Sequence, residues 1–409
     1  MTMRSLITIS AVLFAGALLL AACSSRVDAP TVGVYRATLS LPGGEAPFGL
    51  EVAREGDRHV LYLTNGAERT TVRDVTVSSG ELSAAFPGYE NSLRATIYRE
   101  RLEGAVTLIK AGGVEQVIPF KATFGDTYRF FKEASKEYAP VAGRWQVTLT
   151  DDDGDTTGAV AVLEQSNDRV TGTVMTPTGD HRFLEGQIRG NEVWLSTFAG
   201  GLGYLYQLKV TQPGHLEGEY WQGIRSHEKV AATLNDKAEL EHLATDMQSD
   251  RLVFTFKDAD GKPVSLSDER FRDKVVLITL GGTWCPNCHD EAAFLVPFYK
   301  EYRDKGFDIV ALMFERHADF DKAAKAVRKY REDMRIEFPM LIAGTADDSA
   351  GKALPTLSGI YGYPTSIFID KQGKVRKIHT GFTGPAAPKE YEEYTAEFRA
   401  FIDQLLAES

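Results

Sequence analysis

Apolar and polar residues alternate in short runs over most of the first 235 residues, and the period lengthens after that. From Thr31 to Phe124 the runs are separated by turn residues, and Val60–Thr64 ends at Asn65-Gly66, a strong hairpin signal. Residues 141–235 read the same way. Asp151-Asp152-Asp153-Gly154, Pro177-Thr178-Gly179-Asp180 and Gln212-Pro213-Gly214 punctuate strands such as Arg169–Met175 and Glu192–Thr197. The two stretches repeat each other at a spacing near 110 residues. Gly33–Leu39 aligns with Gly143–Leu149, Glu81–Phe86 with Glu192–Phe198, Leu102-Glu103-Gly104 with Leu216-Glu217-Gly218, and Phe120–Thr123 with Val230–Thr233. This pattern predicts two related all-β antiparallel modules, each a barrel or a sandwich.

From residue 252 onward strands alternate with helices, which predicts an α/β unit of three layers. Strands are expected at Leu252–Phe256, Val275–Leu280, Phe307–Phe314, Phe338–Ile342, Thr365–Ile369 and Val375–His379. Helices are expected at His289–Tyr302, Ala318–Glu332 and Lys389–Leu406. Phe130–Tyr138 and Asp236–Asp250 carry enough charge to be short connecting helices. The multidomain reading is then β-module 1 (32–124), a connector (125–140), β-module 2 (141–235), a helical connector (236–251) and an α/β domain (252–409).

Composition narrows the function. A net charge of −11 argues against nucleic acid as a partner. The three cysteines, Cys23, Cys285 and Cys288, exclude a disulfide framework. Residues 1–22 combine Arg4 with an apolar run from Leu6 to Leu20 and a small-residue end, as signal peptides do. The run is short for a transmembrane anchor. Leu20-Ala21-Ala22-Cys23 resembles the bacterial lipobox, which implies lipid modification at Cys23, a tether over 23–31 and a lipid bilayer as partner. Ser24, rather than Asp, follows the cysteine, so the outer membrane is expected over the inner.

The chemistry gathers at Trp284-Cys285-Pro286-Asn287-Cys288. Gly281 and Gly282 end an apolar strand just before it, and a helix follows. A cysteine at a helix start sits among unpaired N–H groups that favour its thiolate, and a second cysteine one turn on can close a disulfide with it. Attack by Cys285 and resolution by Cys288 is dithiol–disulfide exchange. Cys285 is expected to be the more exposed of the two. Zinc would need more ligands, so no metal is expected, and exchange needs no cofactor.

This segment resembles the W-C-x-x-C site of thioredoxin-like proteins, and the wider pattern resembles the TlpA/ResA branch of bacterial thiol–disulfide oxidoreductases. Glu291 completes C-x-x-C-x-x-E. Gly362-Tyr363-Pro364-Thr365 looks like the branch's cis-proline loop, and Phe254-Thr255-Phe256 with Asp258–Leu266 looks like its lead-in. The resemblance covers residues 252–409 and implies a thioredoxin fold, exported protein thiols or disulfides as partners, and a membrane electron donor for a reductant. It implies a cis Pro364 beside the sulfurs, a shielding Trp284, and Glu291 as proton carrier for Cys288 if burial raises its pKa. Thr279 stands where thioredoxins carry a buried acid. A bulky aromatic is usual in the family where this chain has Leu280 or Gly281.

Three other readings compete. Cys285–His289 also satisfies C-x-x-C-H, the attachment motif of c-type haem. Peroxide-reducing enzymes share the fold, but their threonine stands three residues before the cysteine, whereas Thr283 stands two before Cys285. In the third, the β-modules act as a surface binding protein. Trp145, Trp194, Tyr204, Tyr206, Tyr220 and Trp221 either line a ligand cavity or pack as ordinary core. Asp151–Asp155 reads as a solvated turn, because it lacks the spacing of a calcium loop.

Overall fold

A computed structural model of the chain describes residues 25–133, 137–241, 243, 249–347 and 350–408. The expected signal peptide and Cys23 lie outside the described residues. No helix among the described residues is long and apolar enough to cross a membrane.

The first sheet has nine antiparallel strands: β1 (Gly33–Leu41), β2 (Gly44–Glu55), β3 (Arg58–Asn65), β4 (Glu68–Val72), β5 (Asp74–Ser78), β6 (Glu81–Ala85), β7 (Ser92–Tyr98), β8 (Arg101–Lys110) and β9 (Val114–Phe124). Each pairs with its sequence neighbour except at one seam, between β4 and β5, and β9 returns to pair with β1. The result is a barrel-like ring.

The second sheet comprises β10 (Gly143–Asp151), β11 (Thr156–Ser166), β12 (Arg169–Thr176), β13 (Gly179–Asp180), β14 (Leu184–Arg189), β15 (Glu192–Phe198), β16 (Gly203–Gln212), β17 (His215–Gln222) and β18 (Ser226–Leu234). The β11–β12 and β12–β14 ladders close this ring completely, with β13 a short flap on β12. Closure leaves the ring without open edges. Inward positions alternate with outward ones, as in β10, where Trp145, Val147 and Leu149 are buried.

The four aligned segment pairs fall on corresponding strands, β1 with β10, β6 with β15, β8 with β17 and β9 with β18. A Cβ at Gly104 would meet the Arg94 carbonyl oxygen at 1.9 Å, and one at Gly218 would meet the Gln207 oxygen at 2.1 Å. In both rings, therefore, the repeated Leu-Glu-Gly places glycine where the neighbouring strand's backbone crosses closely.

The rings share a core. Phe198 and Trp221 of the second pack into the first, and Phe198 lies 5.1 Å from Phe48 and 5.3 Å from Phe86. The aromatic residues of the second ring are largely packing. Tyr206 and Tyr220 stack at 4.5 Å, Trp145 is buried, and Trp194 meets Phe130 and Phe131.

Neither expected connecting helix is present in the described residues. Residues 130–133 are bend and coil, because the N–H groups of Phe130 and Phe131 both donate to Gln187 Oε1 instead of continuing a helix. Residues 236–241 are turn and coil, and most of the rest of that segment lies outside the described residues.

The third sheet runs β20 (Pro263–Ser265), β19 (Thr255–Asp258), β23 (Met340–Thr345), β22 (Phe307–Glu315), β21 (Val275–Gly281), β24 (Thr365–Ile369), β25 (Val375–Thr380). Strands β21, β22 and β23 are parallel neighbours, and β24 runs antiparallel to β21. Every residue of β21, β22 and β24 is buried, as suits central strands covered on both faces. Helices α1 (Pro286–Tyr302), α2 (Phe320–Met334) and α3 (Pro388–Ala407) all contribute to one core, with Phe298, Val327 and Phe398 among its members. The other face is covered by Leu252, Phe254, Phe271, Leu354 and Leu357. The helical layers expected on both faces are thus a helical layer on one and largely non-helical chain on the other. This is a thioredoxin-like sheet.

Candidate active site

Strand β21 delivers the chain to the site. A Cβ at Gly281 would lie 3.3 Å from Cys288 Sγ, and one at Gly282 would lie 2.7 Å from the Phe314 oxygen. A bulky aromatic therefore has no room at Gly281. Helix α1 begins at Pro286 rather than His289. Proline is tolerated at that first position because its missing N–H would have no helical partner there.

Cys285 caps the helix, and its Sγ accepts from the Cys288 N–H at 3.2 Å. The two cysteines are disulfide-bonded, with Cα atoms 5.2 Å apart. Cys285 is not the more exposed: it is 4% accessible and Cys288 is 6%.

The Tyr363–Pro364 bond is cis. The register of β21 with β24 pairs Leu280 with Thr365, which sets Pro364 beside the end of β21 and the start of the cysteine turn. Trp284 is held on three sides. Its Nε1 donates to the Phe314 oxygen at 2.9 Å, the Arg316 guanidinium lies 3.8 Å from its ring centre, and Tyr363 meets it edge-on at 5.6 Å.

Glu291 is buried one turn beyond Cys288. Thr279 Oγ1 donates to its Oε2 at 2.5 Å and Ser366 Oγ to its Oε1 at 2.8 Å. Burial pushes its pKa up to about 7, against the two hydroxyl donors, which lower it. Glu291 and Cys288 line the same small cavity of about 20 Å³, room for roughly one water. Sequence reasoning singled out Thr279 but not its bond to Glu291, and it missed Ser366, a polar residue within a buried strand.

It also missed Glu315, at the end of β22. This carboxylate is fully buried and accepts from Thr283 N at 3.1 Å and Thr283 Oγ1 at 2.7 Å, and burial pushes its pKa up to about 7. The Thr283 hydroxyl thus donates to Glu315 and not to a cysteine. His289 is buried as well. Its Nε2 bonds the Thr283 oxygen at 2.8 Å, its ring stacks on Tyr89 of the first barrel at 3.9 Å, and burial pushes its pKa down to about 3. A histidine so engaged is not free to ligate haem.

The second barrel reaches the same helix. Arg182 bonds Asp290 at 2.8 Å and also pairs with Glu68 of the first barrel, so one guanidinium joins three parts of the chain. Burial, with Asp180 and Glu68 adding to it, pushes Asp290 up to about 7 in spite of Arg182.

Comparison with known proteins agrees with this geometry. A family model described as Redoxin matches residues 247–394. The thiol-disulfide oxidoreductase ResA of Bacillus thuringiensis is 33% identical over 141 residues, 34% of this chain and 72% of that protein. The thioredoxin-like protein YneN of Bacillus subtilis is 30% identical over 128 residues, 31% of this chain and 68% of YneN. Among solved structures, a thioredoxin-family thiol:disulfide interchange protein from Chlorobium tepidum is 24% identical, covering 39% of this chain and 97% of its own, with a TM-score of 0.30. A bonded C-x-x-C at a helix start, beside a cis proline and in a chain a third identical to ResA over most of ResA's length, identifies this protein as a member of the TlpA/ResA-like thiol–disulfide oxidoreductases of the thioredoxin fold.

Proposed function

We propose that the protein is a lipid-anchored envelope oxidoreductase that exchanges disulfides with exported proteins, acting as a reductant. The supporting observation is the buried Glu291 carboxyl, held by two hydroxyls and sharing a cavity with Cys288. In the reduced enzyme the Cys285 thiolate, favoured by the helix N-terminus, attacks a substrate disulfide and releases one substrate thiolate. Glu291 takes the Cys288 proton, directly or through one water. The Cys288 thiolate then attacks Cys285 Sγ, the mixed disulfide breaks, and the second substrate sulfur leaves. Two electrons pass to the substrate, which takes up two protons. Trp284 shields the turn, and Pro364 flanks the groove where substrate main chain lies.

The organisation that goes with this reading is a signal peptide over 1–22, a lipidated Cys23 with a tether to 31, β-module 1 over 32–124, a connector, β-module 2 over 141–235 as its repeat, a second connector, and the redox domain over 252–409. The reductant direction is compatible with the uncharged Pro286-Asn287 pair, which does not suit an extreme oxidant but does not by itself set the direction. It calls for a membrane electron donor. The sequence after the lipobox favours the outer membrane.

The test is substrate trapping with Cys288→Ala. Mixed disulfides through Cys285 should accumulate with envelope proteins in cells, and their absence would refute the exchange reading.

A further inference from the structure

The second barrel packs onto the C-x-x-C turn at Asn287. The hairpin Thr176–Arg182 of the second barrel lies across the site and touches three segments around the cysteines. Asn287, inside the C-x-x-C, donates through Nδ2 to the Thr178 oxygen at 3.4 Å. Gly179 forms a parallel bridge with Phe382, and Gly384 N donates to Asp180 Oδ2 at 2.5 Å. Arg182 reaches Asp290 on the active-site helix.

The fit is close at glycines on both sides. A Cβ at Gly179 would lie 2.0 Å from Asn287 Nδ2, one at Gly362 would lie 2.6 Å from Thr178 Cγ2, and one at Gly381 would lie 2.6 Å from the Pro177 oxygen. The hairpin is therefore seated against the C-x-x-C, the cis-proline loop and the loop before α3 together. The seal is also incomplete in its hydrogen bonding, since Asn287 Oδ1 and Arg182 Nε are buried without partners among the described residues. Buried polar atoms left unpaired weaken a closed arrangement relative to an open one that hydrates them.

We propose that the Thr176–Arg182 hairpin is an internal gate. It occupies the strand position beside Phe382 that an extended polypeptide substrate would take, and it must leave before Cys285 can meet a protein disulfide. The proposal rests on the exchange reading for its purpose, but opening can be read without any substrate. The occupant it excludes is a main chain in extended form, because the hairpin itself engages the groove through backbone atoms at Thr178 and Gly179.

The experiment compares the full chain with Gly179→Ala, which drives a methyl into Asn287, and with Asp180→Asn, which weakens the bond to Gly384 without adding bulk. Reduced proteins are alkylated with iodoacetamide at fixed pH, and oxidation of each by glutathione disulfide is followed separately. Opening by local release should make Gly179→Ala react about tenfold faster than the wild type, with Asp180→Asn in between. Equal alkylation rates in all three overturn the gate. Should Gly179→Ala fail to fold, Asp180→Asn alone decides, because a rate equal to wild type still overturns it. Failure of all three to be oxidised by glutathione disulfide would count against the exchange reading, while alkylation would still judge the gate.

Discussion

The Thr279 hydroxyl lies 2.5 Å from the Glu291 carboxylate, so the position where thioredoxins carry a buried acid serves here to hold one supplied by the helix. Burial raises the Glu291 pKa from 4.5 to about 7. Its contribution to stability is therefore full below about pH 4.5 and declines as pH rises to about 7. The shift corresponds to about 3 kcal/mol. Asp290 and Glu315 are displaced in the same direction and act alike. Glu291→Gln should remove one such share, so that its stability advantage over the wild type grows between pH 5 and 8 in urea titrations. The same variant should exchange disulfides about 100-fold more slowly and lose the rate inflection near pH 7. An unchanged pH–rate profile would exclude Glu291 as the proton carrier.

Arg182 balances Glu68 and Asp290, whose side chains are 8% and 15% exposed. Arg182→Met should leave two carboxylates without their cation, at a cost of about 3–5 kcal/mol. Adding Glu68→Gln and Asp290→Asn should recover much of that. A thermal midpoint that does not move on removing the arginine would contradict this account.

The paired glycines of the repeat give a symmetrical prediction. Gly104→Ala and Gly218→Ala each force a methyl against a neighbouring strand's backbone, and each should destabilise its barrel by about 1–3 kcal/mol. Far-UV circular dichroism melts would check it, and tolerance of either alanine would mean the strands can shift apart.

Cys23 offers a test of anchoring in cells. Cys23→Ser should move the protein from the membrane fraction to the soluble envelope fraction, with Cys285–Cys288 exchange intact in vitro. Continued sedimentation with membranes would point to another attachment.

Much was legible before the fold. Alternation with period two, broken by Asn65-Gly66 and its like, is a local property, and so are the repeat and the strand–turn–helix around Cys285. Each depends on neighbouring residues whose spacing matches a backbone period. Helix α1 starts at Pro286, three residues before the expected start at His289.

The partners of the site were not legible, because they come from residues far apart in the chain. Ser366 reaches Glu291 across 75 positions and Arg182 reaches Asp290 across 108. The expected exposure of Cys285 was not legible either: it is buried, and a hairpin more than a hundred residues upstream packs on the same turn at Asn287. The sequence by itself determined which chemistry is possible, since a thiol pair at a helix start is written in adjacent residues. Only the tertiary structure decided how buried the acids and sulfurs are, because burial is a sum over segments that local patterns do not bring together.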